Sequence, residues 1–298
     1  MANGIIIIDK PQGWTSMDVC AKLRGMFREK RVGHAGTLDP MATGILPVFI
    51  GRATRGVEFA SDGEKEYVAG IKLGVVTNTQ DTTGETLEEH PVSVTREELE
   101  AALAQFRGDI EQIPPMYSAV KINGKKLYEL ARKGKEVERK SRPVTIFALE
   151  LMEETPFGWE RTENEYYLRV RCSKGTYIRT LCHDIGGVLG CGAAMSALRR
   201  TMACGFTAED AVVLETVQAA ADNGSAEELL RPVDALFAHL PVLTMRGKNE
   251  TKVRNGVSFP LPTVKDGEYR VYGESGEFLM VGKVADGKLT TVKSFFEV

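Results

Sequence analysis

The stretch RVGHAGTLDPMATGILP, running from Arg31 to Pro47, decides how the rest of the chain is read. Gly33 and Gly36 permit backbone angles or close approaches that a Cβ would forbid. Pro40 keeps Asp39 out of the helical region, so its carboxylate sits on a fixed extended or turning backbone. Beyond it, Ile45, Leu46, Val48, Phe49 and Ile50 predict a buried strand. The segment is therefore a tight loop that feeds a core element and presents one acid, Asp39, and one imidazole, His34. An Asp-Pro in a loop is ordinarily a turn former, so these residues alone leave open whether Asp39 is structural or reactive.

The 298 residues suit one large domain or two ordinary ones. No apolar run approaches the roughly 18–20 residues that cross a bilayer. The start, MANGIIIIDKP, lacks a basic region before its apolar run and meets Asp9 at once, so no secretory signal and a cytoplasmic location are expected. Five cysteines, Cys20, Cys172, Cys182, Cys191 and Cys204, are odd in number and contain no C-x-x-C, which argues against a disulfide framework and a metal site. The formal charge of −3 argues against an RNA partner, but its distribution does not. Lys121 to Arg142 holds nine Lys or Arg against Glu129, Glu136 and Glu138, a net +6 that leaves −9 elsewhere. Such a run is ordinarily a solvated face; clustered like this, it is also a candidate phosphate-contacting surface.

In chain order, Gly4 to Asp9 predicts a buried strand, and KPQGWTS (10–16) turns the chain into a helix with Ser16 as its expected N-cap. Lys65 to Val75 predicts a strand with Tyr67 near its start, and TNTQDTTG (77–84) a turn-rich loop. Thr95 and Glu98 form a capping box for a helix. Residues 113–144, with Pro-Pro, an Asn-Gly turn at 123–124 and a helix ending at Gly134, predict an excursion from the sheet. Two strands follow, 144–153 and 166–172. SKGTYIRTLCHDIGGVLGCG (173–192) then predicts a helix with Ile178, Leu181, Cys182, Ile185 and Leu189 inward and Arg179 and His183 off that stripe. Its glycines follow a helix, not a strand, which excludes a phosphate-binding loop. After 232–241, short apolar runs split by turns at 255–256, 266–267 and 286–287 predict a small all-β unit.

Three of these strings resemble one family. GHAGTLDPMATGILP is similar to the catalytic motif of the pseudouridine synthases, specifically the bacterial TruB family that modifies uridine 55 in the T-loop of tRNA. KPQGWTS resembles that family's first signature, and the string around Tyr177 and Arg179, completed by ALRRT (197–201), resembles its third. The resemblance implies an α+β fold: a mixed, mostly antiparallel sheet with flanking helices over residues 1–238. It also implies an RNA-gripping insertion at about 113–144 and a PUA-like RNA-binding domain over 239–298. It implies Asp39, Tyr67 and Arg179 as catalytic residues. His34, Tyr177, Leu198, Asp81, Lys121, Lys125, Lys126 and Arg132 are implied on the substrate side, with Lys10 and Pro11 supporting the loop. The partner implied is the tRNA T-stem-loop, with no protein partner, a monomeric state, and a further role in tRNA folding.

Isomerising uridine breaks the bond from C1′ to N1, turns the uracil and joins C1′ to C5. Nothing is added or lost, so no cofactor is expected. A carboxylate suits attack at, or charge stabilisation of, an anomeric carbon. Inside a closed pocket an adjacent guanidinium favours its charged form, and Arg179 is the partner expected for Asp39. Whether Asp39 attacks C1′, attacks the ring or abstracts a ribose proton is open from residues alone. His34 is placed to fill the space that the flipped base vacates, a step that costs a few kcal/mol. A non-catalytic RNA binder and a nucleoside hydrolase are the competing readings. Pooled Lys/Arg→Ala changes within 121–142 are expected to weaken RNA binding and flatten its salt dependence, measured by titration at several salt concentrations. An unchanged salt slope would remove the insertion from the interface.

Overall fold

A computed structural model describes residues 2–296. Its main element is a nine-stranded mixed sheet. The spatial order is Gly4–Lys10, Thr43–Ile50, Ala193–Ala203, Lys65–Leu73, Glu165–Cys172, Arg142–Leu151 and Gly108–Gln112. Val32–His34 and Phe206–Thr207 pair at the side. All pairings are antiparallel except the one between the 43–50 and 193–203 strands.

The isoleucine run near the start is continuous because both sides of its strand are covered. Ile6 and Ile8 pack with Val19, Leu23, Leu46 and Val48 beneath the Ser16–Phe27 helix. Ile5 and Ile7 face the other way, toward Ile45, Phe49, Phe237 and Phe295. Further along the sheet one face is buried under the Arg96–Ala104 and Ile178–Leu189 helices, through Leu99, Leu103, Leu181 and Ile185. The opposite face is polar, with Arg169 paired to Glu66 and Glu150, and Arg171 to Glu64. This alternation confines the apolar pocket to one side of the central strands.

Two local expectations need correction. The first helix is capped by Thr15, not Ser16: Thr15 and Asp18 form a capping box, and Ser16 is the first helical residue. Its hydroxyl is thereby released for another partner. The unit after Pro241 is built on the expected all-strand sheet, but its Asn255-Gly256 dipeptide ends a helix rather than joining two strands. It holds a five-stranded sheet and one helix, Gly247–Arg254, which Asn255 and Gly256 terminate. An Asn-Gly dipeptide serves a helix end as readily as a hairpin, and the charged sequence of that helix has little apolar periodicity to reveal it. The other two turn dipeptides are strand connections, and Asp286 and Gly287 carry positive φ between Phe278–Ala285 and Lys288–Ser294.

The insertion is a hairpin, Lys121–Ile122 with Lys125–Lys126, turned at Asn123 and Gly124 and followed by the short helix Leu127–Ala131. The C-terminal unit docks through Phe237, Phe278 and Phe295, through Tyr272 donating to Asp234 at 2.5 Å, and through Lys293 against Glu58.

Gly44 marks where the Asp39 loop joins the sheet. Its φ is +99°, and an added Cβ would lie 2.2 Å from the Arg200 carbonyl oxygen. Gly44→Ala is therefore expected to cost at least ~2 kcal/mol, combining backbone strain with a contact that only the main chain can relieve. Chemical unfolding checks it, and a variant as stable as its parent would contradict the close approach.

Candidate active site

The loop carrying Asp39 is held from below by the KPQGWTS segment. The Ser16 hydroxyl accepts from Leu38 N at 2.9 Å and donates to Leu38 O at 3.2 Å. Gly13 N donates to Pro40 O at 2.7 Å. Lys10 is fully buried, and its ammonium donates to the carbonyls of Pro11 and Trp14 at 2.9 and 2.6 Å, with Pro40 O at 3.5 Å. Burial lowers the Lys10 ammonium to about 8, with the Asp39 carboxylate opposing that shift. Both flanks of Asp39 are thus tied to the turn after the first strand. The carboxylate itself stays half-exposed, at 39%.

Its partner comes from the start of the Ile178–Leu189 helix. Arg179 Nε lies 3.0 Å from Asp39 Oδ2, and the Arg179 side chain is only 6% exposed. Each terminal nitrogen is held by main chain: Nη1 donates to Thr79 O at 3.0 Å and Nη2 to Tyr117 O at 2.7 Å. Asp81 Oδ2 stands 3.8 Å from Nε. Asp81 is buried, and its other oxygen accepts from Thr79 Oγ1, Thr83 N and Thr83 Oγ1. A buried guanidinium needs such partners at every nitrogen, since stripping it of water is costly. The Thr79–Thr83 loop is held to the helix in turn, as Thr180 Oγ1 donates to Gln80 Oε1 at 2.8 Å.

Tyr67, Leu198, Leu38 and Ile178 share one buried cluster, so the tyrosine lies on the catalytic-loop side of the sheet. Burial pushes the Tyr67 phenol up, against the opposing influence of Arg200. His34, at the end of its short strand opposite Val48, is half-buried with Nδ1 lacking a hydrogen-bond partner. Burial, reinforced by Arg200, pulls its imidazole below the usual range and keeps it neutral. Tyr177 caps the helix that begins at Ile178, and its main chain is gripped by Gln112, which accepts from Tyr177 N at 2.7 Å and donates to Tyr177 O at 3.1 Å. A cavity of about 380 Å³ opens against Tyr177, with Gln112, Arg142 and Lys174 in its wall.

Two family models match the chain in succession: the N-terminal domain of TruB family pseudouridylate synthase over residues 24–178, and the tRNA pseudouridylate synthase B C-terminal domain over 179–238. The chain belongs to the TruB family of pseudouridylate synthases. Among its relatives, tRNA pseudouridine synthase B of Azoarcus sp. (strain BH72) is 46% identical over 97% of this chain and 93% of that protein. That of Clostridium kluyveri is 40% identical over 98% and 99%. Among solved structures, a chain of a Cbf5-Nop10-Gar1 complex superposes with a TM-score of 0.73 at 26% identity, covering 98% of this chain and 85% of that one. A chain of an archaeal box H/ACA sRNP Nop10-Cbf5 complex gives 0.70 at 25%, over 98% and 86%.

Within this TruB-family chain, Asp39 and Asp81 converge on the Arg179 guanidinium, and Tyr67 and Leu198 share a buried cluster with Leu38 of the Asp39 loop. The basic residues Lys121, Lys125, Lys126 and Arg132 lie apart, on the hairpin and helix of the insertion. There Lys126 and Arg132 each approach the Tyr128 ring at 5.4 Å. Asp81 is not positioned on an open RNA-facing surface, because its carboxylate is consumed by the Thr79–Thr83 loop and Arg179. Sequence reasoning read Ser16 only as a helix cap, and did not single out Thr79, Gln112, the Tyr117 carbonyl or Arg200. A small polar residue, a main-chain oxygen or an arginine inside a strand carries no periodic or motif signal for contacts across the fold.

The buried Lys10 gives a pH test. Between pH 8 and 10.5 the unfolded chain holds the proton that the folded chain has shed, so stability from this group rises with pH across that window. Relative to Lys10→Met, the wild type is expected to gain ~1–3 kcal/mol between about pH 7.5 and 10 in urea unfolding. A difference that stays flat with pH would contradict the depressed ammonium.

Proposed function

We propose that this chain converts uridine 55 in the T-loop of tRNA to pseudouridine, with Asp39 as the group that engages the flipped nucleoside. Family membership and the relatives' named activity support the reaction class, tRNA pseudouridine synthesis. The observation that carries the site is the 3.0 Å pairing of Asp39 with a buried Arg179 whose two terminal nitrogens are held by main-chain carbonyls. Such a guanidinium cannot drift with the substrate, so the carboxylate keeps its direction while the C1′–N1 bond breaks.

Tyr67 in this reading is a stacking surface and a relay. Burial keeps its phenol protonated, so taking the C5 proton requires passing its own proton on in the same step. Neutral His34 fills the gap left by the extruded base without importing charge, and Leu198 walls the uracil pocket. Asp81 is a positioning residue that helps hold Arg179. Lys121, Lys125, Lys126 and Arg132, with the 239–298 unit as a PUA-like domain, offset the cost of flipping through phosphate contacts. The catalytic unit spans 1–238, acting as a cytoplasmic monomer.

Incubating the purified chain with a T-stem-loop transcript and analysing the nucleosides tests all of this. Wild type should form pseudouridine; free uracil would mean hydrolysis, and unchanged uridine a binding protein. Asp39→Asn should stop product while RNA binding persists, and Arg179→Ala should cost turnover at least ~100-fold with a smaller loss of binding. Turnover by Asp39→Asn would take Asp39 out of the reaction.

A further inference from the structure

Arg200 is the largest of the fully buried side chains, at 1% exposure, and it belongs to none of the roles above. Its strand lies between two neighbours that both carry active-site elements. Its register partner on one side is Tyr67, and on the other Gly44, where the catalytic loop returns to the sheet. The guanidinium runs under that loop. Nε donates to Ile45 O at 2.6 Å and Nη2 to Gly36 O at 3.1 Å, carbonyls that bracket Asp39 in sequence. Gly36, at φ +82°, leaves room for this approach, since a Cβ there would meet Arg200 Nη1 at 3.1 Å. The same guanidinium faces the Tyr67 phenol and acts on the His34 imidazole.

Unlike Arg179, Arg200 forms no ion pair among the described residues, and the cations Lys10 and Lys65 share its surroundings. An arginine buried without a carboxylate is expensive, and an apolar side chain of similar volume would fill the space at lower cost. What an apolar replacement lacks is a rigid planar set of donors that reaches several acceptors at once. We propose that Arg200 is a positioning residue of the reaction, one that clamps the catalytic loop on both sides of Asp39 and orients the Tyr67 hydroxyl against it. This rests on the reading of Asp39 and Tyr67 as the reacting groups. The clamp joins the acid to the tyrosine through one side chain, so their separation is set before substrate arrives, and misplacement by about 1 Å can cost 10²-fold in rate.

The test compares Arg200→Lys and Arg200→Gln with wild type by thermal melting, binding of a T-stem-loop transcript, and single-turnover pseudouridine formation. Lysine keeps the charge but reaches fewer of the acceptors. Glutamine drops the buried charge, which protects folding, and keeps one amide donor. Both variants are expected to bind RNA within about threefold of wild type and to react roughly 100-fold more slowly per folded molecule. With Tyr67→Phe added, the second loss should be much smaller than the first, because both changes break one unit. Wild-type rates in a stably folded Arg200→Gln would overturn the proposal, as would additive losses or a rate deficit that only tracks the unfolded fraction. A wild-type control that makes no pseudouridine would instead sink the underlying reading, and the proposal with it.

Discussion

The constraint behind this architecture is that a guanidinium taken out of water must have its donors met. Arg179 cannot shed its charge, and a buried cation with unmet donors would cost several kcal/mol. Three separate segments answer it: the Asp39 loop, the Thr79–Asp81 turn, and Tyr117 at the root of the insertion. None of these segments is adjacent to another in sequence. Meeting at one side chain fixes where each can lie, and Asp39, far more exposed than Asp81, is the acid left open to solvent.

The same arrangement ties the insertion to the Asp39 loop. The Tyr117 carbonyl belongs to the segment that leads into the basic hairpin, so Lys121–Arg132 is covalently close to the partner of Asp39. Beneath the loop, Lys10 and Arg200 bind carbonyls on either side of Asp39. The cations under the loop therefore serve it through main-chain oxygens, and among the described residues only Arg179 pairs with the carboxylate. That division holds the loop from below while leaving the Asp39 carboxylate half-exposed.

Much of this was legible before any coordinates. Asp39 and Arg179 were expected as a pair, the helix over 178–189 was expected with Arg179 off its apolar stripe, and the capping box at Thr95 and Glu98 is present. The Asn123-Gly124 turn, the strand that follows the insertion and the two-sided burial of the first strand also follow from local patterns. Those features depend on residues near one another in the chain, where periodicity, capping and turn chemistry act directly.

What escaped was decided elsewhere. Ser16 and Thr15 compete for one cap, and the winner is set by Leu38, 22 residues on, which takes the Ser16 hydroxyl. Asp81 reads as an exposed loop acid until Met195 pairs beside it and Arg179 arrives from 98 positions away. Arg200 reads as one more basic residue in a strand until Gly36 and Ile45 close over it. The sequence by itself determined the Asp39 loop, the pairing of Asp39 with Arg179 and the elements that carry them, because those signals are local or motif-borne. Only the tertiary structure decided which polar groups hold them in place, because a buried donor takes its partner from whatever backbone the fold brings within about 3 Å.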